Sequence, residues 1–323
     1  MNGRSIADAL IEAPIVTSFT RLGYEARSRL EGWTPLDDYD LSGQVIVVTG
    51  ATSGLGHAAA EQLARCGATL VVVGRDGERN ERAIAELATS TGNPSITQIP
   101  ADMGDLEQVR HLAERVLAAH DRLDVLIHNA GALDPERRVA PGGTEATVAS
   151  QVVGPFLLTR LLLDRLAASA PARVLTMSSG GMYATGLKVS ELEMAPEDYN
   201  GTEQYARAKR AQVTLNEMWA DRFGDLGVTF HALHPGWADT PGVDAGLPTF
   251  AKVMGPFLRT PEQGADTLVW LAADDTALAS NGRFWLDRAP RPIHKLPTTK
   301  GTDTAERRNR LWDWVAATAD ATR

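Results

Sequence analysis

The sequence predicts an α/β fold: a doubly wound parallel sheet of about seven strands with helices on both faces. Three observations predict it. From Gln44 onward, short β-branched apolar runs alternate with helix-length amphipathic stretches, the rhythm of parallel strands joined by helical crossovers. The apolar runs are nearly unbroken, as in strands covered on both faces. A glycine-rich turn, Thr49-Gly50-Ala51-Thr52-Ser53-Gly54-Leu55-Gly56, stands where the first run passes into the first crossover helix.

Each element follows from its pattern. The strand-like runs are 45–48, 69–73, 96–99, 125–127, 174–177 and 228–233, with a last short one at 283–286. Helical stretches fall at 58–66, 78–88, 106–120, 147–166 and 202–223. One catalytic unit therefore spans 43–290, flanked by a leader, 1–42, and a tail, 291–323. In the leader, Ile15, Phe19, Leu22, Ala26 and Leu30 lie near helical spacing, with Arg21, Arg27 and Arg29 off the apolar stripe. Such a helix packs on the domain or on a sister subunit of a homo-oligomer, or else makes peripheral contact with a membrane surface. The tail carries a helix with Trp312, Trp314 and Val315, expected to dock on the body.

Composition excludes several classes. A formal charge of −9 over 323 residues argues against a nucleic-acid partner. The single cysteine, Cys66, rules out an internal disulfide and a Cys-cluster metal site, and reads as a packed thiol. The seven histidines show no metal-ligand spacing, so no metal is expected. No apolar run approaches a membrane span and no secretory signal is visible, which makes the cytoplasm the default compartment. Asn200-Gly201-Thr202 then has no glycosylation role.

The glycine turn implies a phosphate. A helix N-terminus presents free N–H groups and the positive end of its dipole, and glycines let a pyrophosphate approach without a Cβ in the way. The spacing of Gly50, Gly54 and Gly56 sits between a strand and a helix, the context such a motif requires. Downstream, Tyr205-Ala206-Arg207-Ala208-Lys209 places a phenol and an ammonium on one helix face. A nearby cation lowers a phenol from its ordinary pKa of about 10 and fits it for acid/base work.

With Asn129-Ala130-Gly131 after the fourth run, Ser178-Ser179 after the fifth and His234-Pro235-Gly236 after the sixth, the chain resembles a short-chain dehydrogenase/reductase. The order of motifs matches over most of its length. Within that family, Gly23-Tyr24-Glu25, Ser178-Ser179-Gly180-Gly181-Met182, the run 234–243, Gln263-Gly264-Ala265-Asp266-Thr267 and the run 282–288 are similar to the subgroup called dehydrogenase/reductase SDR family member 12. The resemblance implies a Rossmann-type domain that binds a nicotinamide cofactor and a small-molecule substrate, with hydride transfer between carbonyl and alcohol. Carried over residue by residue, it implies Tyr205 as acid/base, Lys209 lowering the pKa of Tyr205 and holding the nicotinamide ribose, and Ser179 rather than Ser178 orienting the carbonyl. Gly180-Gly181 would leave room beside the substrate. The same resemblance assigns the cofactor to Gly50, Thr52, Ser53, Gly54, Leu55, Gly56, Asp102, Met103, Asn129, Ala130, Gly131, Pro235, Gly236 and Thr240, in addition to Tyr205 and Lys209.

Several points stay open. The second strand ends in Val73-Gly74-Arg75, and an arginine there pairs with a 2′-phosphate, which favours NADP (NADPH) over NAD. Asp76 either blunts that preference or caps the next helix. Asp102 contacts adenine, caps a helix or shapes a loop. Gln151 stands where the family often has a water-holding asparagine, and its extra methylene puts the proton relay in doubt. Met182, Tyr183, Leu187, Trp237, Leu247, Phe250 and Met254 either line an apolar substrate pocket or form lid core. A cofactor-binding sensor with little turnover and a sugar-nucleotide epimerase on the same fold are the alternatives. The motif spacing and short C-terminal portion disfavour the epimerase.

Overall fold

The apolar runs become strands because each can bury both faces. The structure is a computed structural model and describes residues 3–12, 14–246 and 248–321. Strands β1 (Val45–Thr49), β2 (Thr69–Gly74), β3 (Ile96–Pro100), β4 (Val125–His128), β5 (Ala172–Met177), β6 (Val228–Leu233) and β7 (Phe284–Leu286) pair in parallel in the order β3-β2-β1-β4-β5-β6-β7. An eighth strand, β8 (Ala289–Arg291), closes the edge antiparallel to β7. The expectation of about seven strands misses it because three residues joined through Asp287-Arg288 lack a readable alternation. Every residue of β1, β4 and β6 is buried.

The winding reverses between β1 and β4. Val47 pairs with Val71 on one side and Leu126 on the other. Crossover helices leaving this point diverge, which opens a crevice at the carboxyl ends of the strands. Helix α4 (Gly54–Arg65) follows β1, α5 (Gly77–Thr91) follows β2 and α6 (Leu106–Ala119) follows β3. The continuous helical run α7 (Ala146–Ala168) is long and apolar enough to cross a bilayer, so the expectation that no segment approaches that length needs correcting; 72% of its apolar window is buried in the protein, as in a core helix. It contains a π-helical turn, Ala149–Val153, just before Pro155. Proline has no N–H to give the preceding turn, and π-turns occur at such interruptions. Helix α8 (Gly201–Phe223) starts at Asn200, whose side chain accepts the Glu203 N–H, and is buried over most of its length.

The tail docks as expected. In α10 (Ala305–Asp320), Trp312 packs against Phe156, Trp219 and Phe223, with Arg222 over its ring at 4.0 Å. Helix α9 (Pro261–Ala273), which precedes it, begins at a Thr260–Gln263 capping box.

The leader differs from the single amphipathic helix that its spacing predicts. It forms α1 (Gly3–Glu12), α2 (Ile15–Phe19) and α3 (Arg21–Glu31), broken at Thr20, which is extended. Leu22 and Leu30 are exposed, Phe19 is buried, and the side chain of Ile15 lies outside the described residues. Arg27, expected on a basic outer face, is 2% exposed. It donates to Asp8 (2.8 Å), Glu12 (2.8 Å) and Asp287 (2.6 Å). Packing on the body is thus the arrangement observed.

Asp287 is the partner that holds both ends. It lies in the β7–β8 turn, where Asp287 and Arg288 have φ of 54° and 53°. Two left-handed residues make the turn that matches strand twist, and aspartate tolerates that conformation better than most. The carboxylate faces Arg27 on one side and Arg259 on the other, with Arg259 at 2.6 and 3.0 Å. Removing one partner of a buried ion cluster leaves uncompensated charge, which costs about 3–5 kcal/mol. Asp287→Asn, which keeps the turn preference, is therefore expected to lower stability by about that amount. Urea denaturation of the two proteins checks it; equal midpoints would refute it.

Candidate active site

The glycine turn is shaped by close approach. Gly50 has φ +69°, and a Cβ there would sit 2.7 Å from Ala130 Cα. At Gly56 a Cβ would overlap the Gly50 carbonyl and the Asn129 amide. The turn is therefore folded onto the end of β4. Thr49 makes the junction: its Oγ1 donates to Ile127 O (3.1 Å) and accepts from the N–H groups of Asn129 (3.0 Å) and Ala130 (3.1 Å). Asn129 Nδ2 returns bonds to the carbonyls of Thr49 and Gly50. Thr49 has no assigned role in the sequence analysis; the signal was a hydroxyl ending an otherwise apolar strand. Ser53, exposed at the N-cap of α4, forms no side-chain cap, so its hydroxyl does not compete for the first-turn N–H groups. Thr52 and Leu55 flank this turn half-buried, and a methyl at Gly54 would lie 3.5 Å from Thr240.

At the far end of the crevice, Arg75 is exposed beyond β2. Asp76 caps α5 by accepting the Arg79 N–H at 3.2 Å, which takes up the capping alternative. Asp102 Oδ1 accepts the Gly104 N–H at 2.8 Å and so shapes a loop, while the α6 cap is Asp105. Met103 is buried among the core side chains. A Cβ at Gly154 would overlap its carbonyl, so its backbone packs on the buried Gly154 of α7.

Tyr205, Lys209 and Ser179 converge at the carboxyl edge of β5. Lys209 is buried and donates to Met177 O at 3.0 Å; its Nζ lies 5.2 Å from the Tyr205 ring centre. Ser178 is buried and donates to Lys209 O at 3.1 Å, so its hydroxyl is spent on α8. Ser179 is half-buried, accepts the Gly181 N–H at 3.1 Å and contacts the Tyr205 hydroxyl. Of the two serines, Ser179 is therefore the one beside the Tyr205 hydroxyl. A methyl at Gly181 would lie 3.5 Å from Ser179 Oγ. The space at Gly180 is used differently from expectation: a Cβ there would meet Phe19 at 2.9 Å.

The electrostatics differ from the simple expectation. Burial pushes Tyr205 up to about 12, against the hydrogen bond from Ser179, which lowers it. Burial also pushes Lys209 down to about 7. Burial is thus the larger effect at both groups. The Tyr205 ring is only half-buried, so this desolvation is partial at its open edge.

Gln151 lies in the π-turn. Its Nε2 donates to Ala132 O (2.7 Å), and its own carbonyl accepts from Gln212 Nε2 (2.6 Å). Gln151 Oε1 is buried without a partner. A methyl on Gly131 would lie 2.9 Å from that oxygen and 3.3 Å from Lys209 Nζ, so both atoms flank Gly131. Gln212, absent from the expected set, is recognisable only as a polar side chain inside a buried helix.

The loop after β6 completes the crevice. Gly236, φ +75°, donates to His234 Nδ1 at 2.9 Å, and Pro235 O accepts from Arg259 at 3.3 Å. Burial, then the positive charge of Arg259, holds His234 well below its ordinary pKa, so it is neutral. Met182, Tyr183 and Leu187 are core side chains, as the lid-core alternative has it. Trp237, Phe250 and Met254 are half-buried, with Trp237 and Phe250 edge to face at 5.1 Å; Leu247 lies outside the described residues. Among the described residues no group of three His, Cys, Asp or Glu is placed to hold a metal.

These residues fit a nicotinamide dinucleotide: a glycine turn without a side-chain cap, Arg75 at the second strand end, and Lys209 Nζ and Gln151 Oε1 beside Gly131. A strand–turn–helix of this kind, with a Tyr–Lys pair beside it, defines a nucleotide-dependent oxidoreductase. The chain belongs to the short chain dehydrogenase family, whose model matches residues 44–247. It is 38% identical over 290 residues to human Dehydrogenase/reductase SDR family member 12, covering 89% of this chain and 90% of that protein. It is 32% identical over 310 residues to bovine Retinol dehydrogenase 12, covering 94% and 96%. A solved structure from Beutenbergia cavernae, described as an NAD(P) dependent gluconate 5-dehydrogenase with bound NADP at low occupancy, superposes with a TM-score of 0.64. It is 27% identical and covers 79% of this chain and 97% of its own.

The Lys209 shift sets a pH dependence. The unfolded lysine titrates near 10.5 and the folded one near 7, so between these values the unfolded state binds more protons. The penalty is complete below pH 7 and disappears as pH rises towards 10.5. Lys209→Met is expected to be more stable than wild type at pH 6.5, with the difference shrinking by pH 9.5. Denaturant titrations at the two pH values check this; a constant difference would refute it.

Proposed function

We propose that this protein interconverts a carbonyl and an alcohol on a lipophilic small molecule using NADP(H). The observation that carries this reading is the meeting of Ser179, Tyr205 and Lys209 at the end of β5, in the crevice opened by the glycine turn. When bound, the dinucleotide supplies or accepts the hydride. Ser179 Oγ hydrogen-bonds the substrate oxygen and holds it towards Tyr205. Tyr205 Oη gives that oxygen a proton in reduction and takes one back in oxidation. Lys209 holds the nicotinamide ribose, and as an ammonium it favours the phenolate. Glycines 50, 54 and 56 and the α4 N-terminus take the pyrophosphate; Arg75 takes the 2′-phosphate, with Asp76 engaged at its own helix. Asn129, Ala130 and Gly131 border the adenosine-to-ribose path, and Pro235, Gly236 and Thr240 the carboxamide end. Trp237 and Phe250, and the likeness to a retinol dehydrogenase, support an apolar substrate.

One observation favours a second reading. The Gln151 carbonyl is occupied by Gln212, which suits a cofactor-binding sensor with little turnover. NADPH oxidation with a panel of carbonyl compounds separates the two. Turnover is expected for bulky apolar ketones or aldehydes, and Tyr205→Phe is expected to bind NADPH normally and lose roughly 10²–10⁴-fold in kcat. Full activity in Tyr205→Phe would sink the mechanism; tight NADPH binding without turnover across the panel would favour the sensor.

Cofactor preference has its own test. Arg75→Ala is expected to weaken NADPH about tenfold or more, the value of a charged hydrogen bond of about 1.5 kcal/mol, while NADH binding stays unchanged. Isothermal titration with both nucleotides measures it. Equal losses for the two would remove Arg75 from the phosphate site.

A further inference from the structure

Among the described residues, the leader meets the proposed site at Phe19, and several hydrogen bonds hold it there. Arg259, itself buried, donates to three successive leader carbonyls: Ser18 O (2.9 Å), Phe19 O (3.1 Å) and Thr20 O (3.3 Å). The same guanidinium binds Asp287 and Pro235 O. Phe19 O also accepts the Trp237 N–H at 2.7 Å, and Trp237 O accepts the Arg259 N–H at 2.7 Å. Residues 18–20, the end of α2 and the extended Thr20, are therefore clamped against the loop that follows β6. Within the leader, Gly23 lets α3 fold back on α2, since a Cβ there would overlap the Thr17 carbonyl.

The Phe19 side chain projects from the end of α2 onto Gly180, next to Ser179. It is 3% exposed. Its ring meets His234 edge on at 4.2 Å and Trp237 edge on at 5.7 Å, and lies under Lys295 Nζ at 5.1 Å. Gly180, next to Ser179, has no side chain where the ring approaches. Phe19 thus wedges between the turn that carries the Ser179 hydroxyl and the loop that carries Trp237. Tyr183 of the same turn stacks on the Phe19 ring at 6.5 Å, while Gly181 faces Ser179 Oγ and the Tyr205 ring.

We infer that Phe19 is a positioning residue for catalysis: the leader sets the distance between Ser179 and the Trp237 wall, and with it the fit of a bulky apolar substrate. The inference rests on the proposed carbonyl chemistry of the same site and extends it to a segment outside the glycine turn and the Tyr–Lys pair. Phe19 touches no reacting atom. It fills the volume that keeps two pocket-forming loops apart, and a shift of about 1 Å in such a support costs about 10²-fold in rate. The glycine turn and Arg75 make no hydrogen bond or ring contact with Phe19, whereas the loop of Pro235 and Gly236 does lie against it, so dinucleotide affinity is affected less than the fit of a bulky substrate.

The test uses full-length Phe19→Ala and the volume-conserving Phe19→Leu. For Phe19→Ala, kcat/KM for a bulky apolar carbonyl is expected to fall about 10²-fold, and both kcat/KM for a small carbonyl and NADPH affinity to fall much less. Phe19→Leu is expected to restore most of the discrimination. An unchanged ratio between bulky and small substrates, or a parallel loss tracking a lowered Tm in both variants, would overturn the inference. Hydrogen exchange provides a readout that needs no turnover. In Phe19→Ala, peptides covering 179–183 and 235–238 are expected to exchange faster, with 45–65 unchanged. Unchanged exchange in the first two would overturn the inference even if wild type proved inactive, an outcome that by itself counts only against the carbonyl chemistry.

Discussion

The Asp287 carboxylate, held between Arg27 and Arg259, is the interaction on which the rest of the molecule hangs. Each guanidinium is buried, so neither can exchange this partner for water without opening the structure. Arg27 belongs to the leader, Arg259 to the loop before α9, and Asp287 to the edge hairpin, so one carboxylate ties together three segments distant in sequence. The turn that presents it has both residues at positive φ, a conformation that costs about 1–3 kcal/mol per residue where it is not favoured. Its neighbour Arg288 is held by Asp266 at 2.8 and 2.7 Å, and Asp266 also accepts from Tyr24 of the leader. The backbone strain and the buried charges thus sit in one place and support each other. Outside them, Asp8 and Glu12 close the shell. Burial would raise both carboxyls, but Arg291 and Arg27 at Asp8, and Lys295 and Ser18 at Glu12, outweigh it and hold both below the ordinary range. Their contribution to stability is present above the unfolded carboxylate pKa and is lost as pH falls through the lower folded values.

The same competition between burial and partners runs the other way at the Tyr–Lys pair. Lys209 has the Met177 carbonyl and the Tyr205 ring but no carboxylate close by, so desolvation wins and its ammonium is weakened. Tyr205 is raised for the same reason. A site in which both groups are displaced towards their neutral forms stores unfavourable desolvation, and perturbed groups of this kind collect at functional sites.

Legibility followed the length scale of the signal. The six long strands and the crossover helices were readable because burial on both faces imposes continuous apolar runs, and the ends came out within a few residues. Strand β8 was not, since three residues paired through a tight turn carry no period. The leader misled because apolar spacing alone does not reveal that Thr20 breaks the helix or that Arg27 points inwards; a buried arginine depends on carboxylates that arrive from residues 8, 12 and 287. Ser179, Tyr205 and Lys209 were visible as a motif, and the structure brings them together. The direction of the pKa shifts was not visible, because it depends on burial depth rather than on residue type. Met182, Tyr183 and Leu187 look like pocket lining in sequence and are core in space, since an apolar loop residue has the same appearance in either place.

Gln151 shows how a local departure in sequence is absorbed by the backbone around it. A glutamine is one methylene longer than the asparagine the family often carries there. The π-turn at Ala149–Val153 widens the helix by one residue, and Pro155 behind it has no N–H to demand a carbonyl partner. Gln212, three residues beyond Lys209 on α8, then takes the Gln151 carbonyl, and the Gln151 amide reaches Ala132. What is left over is Oε1, buried and unpartnered beside Lys209 Nζ at Gly131. An orphan buried acceptor carries a desolvation cost of about 1–3 kcal/mol until a donor arrives. The free acceptor at this position is therefore the side-chain oxygen, next to the lysine, while the backbone carbonyl is occupied.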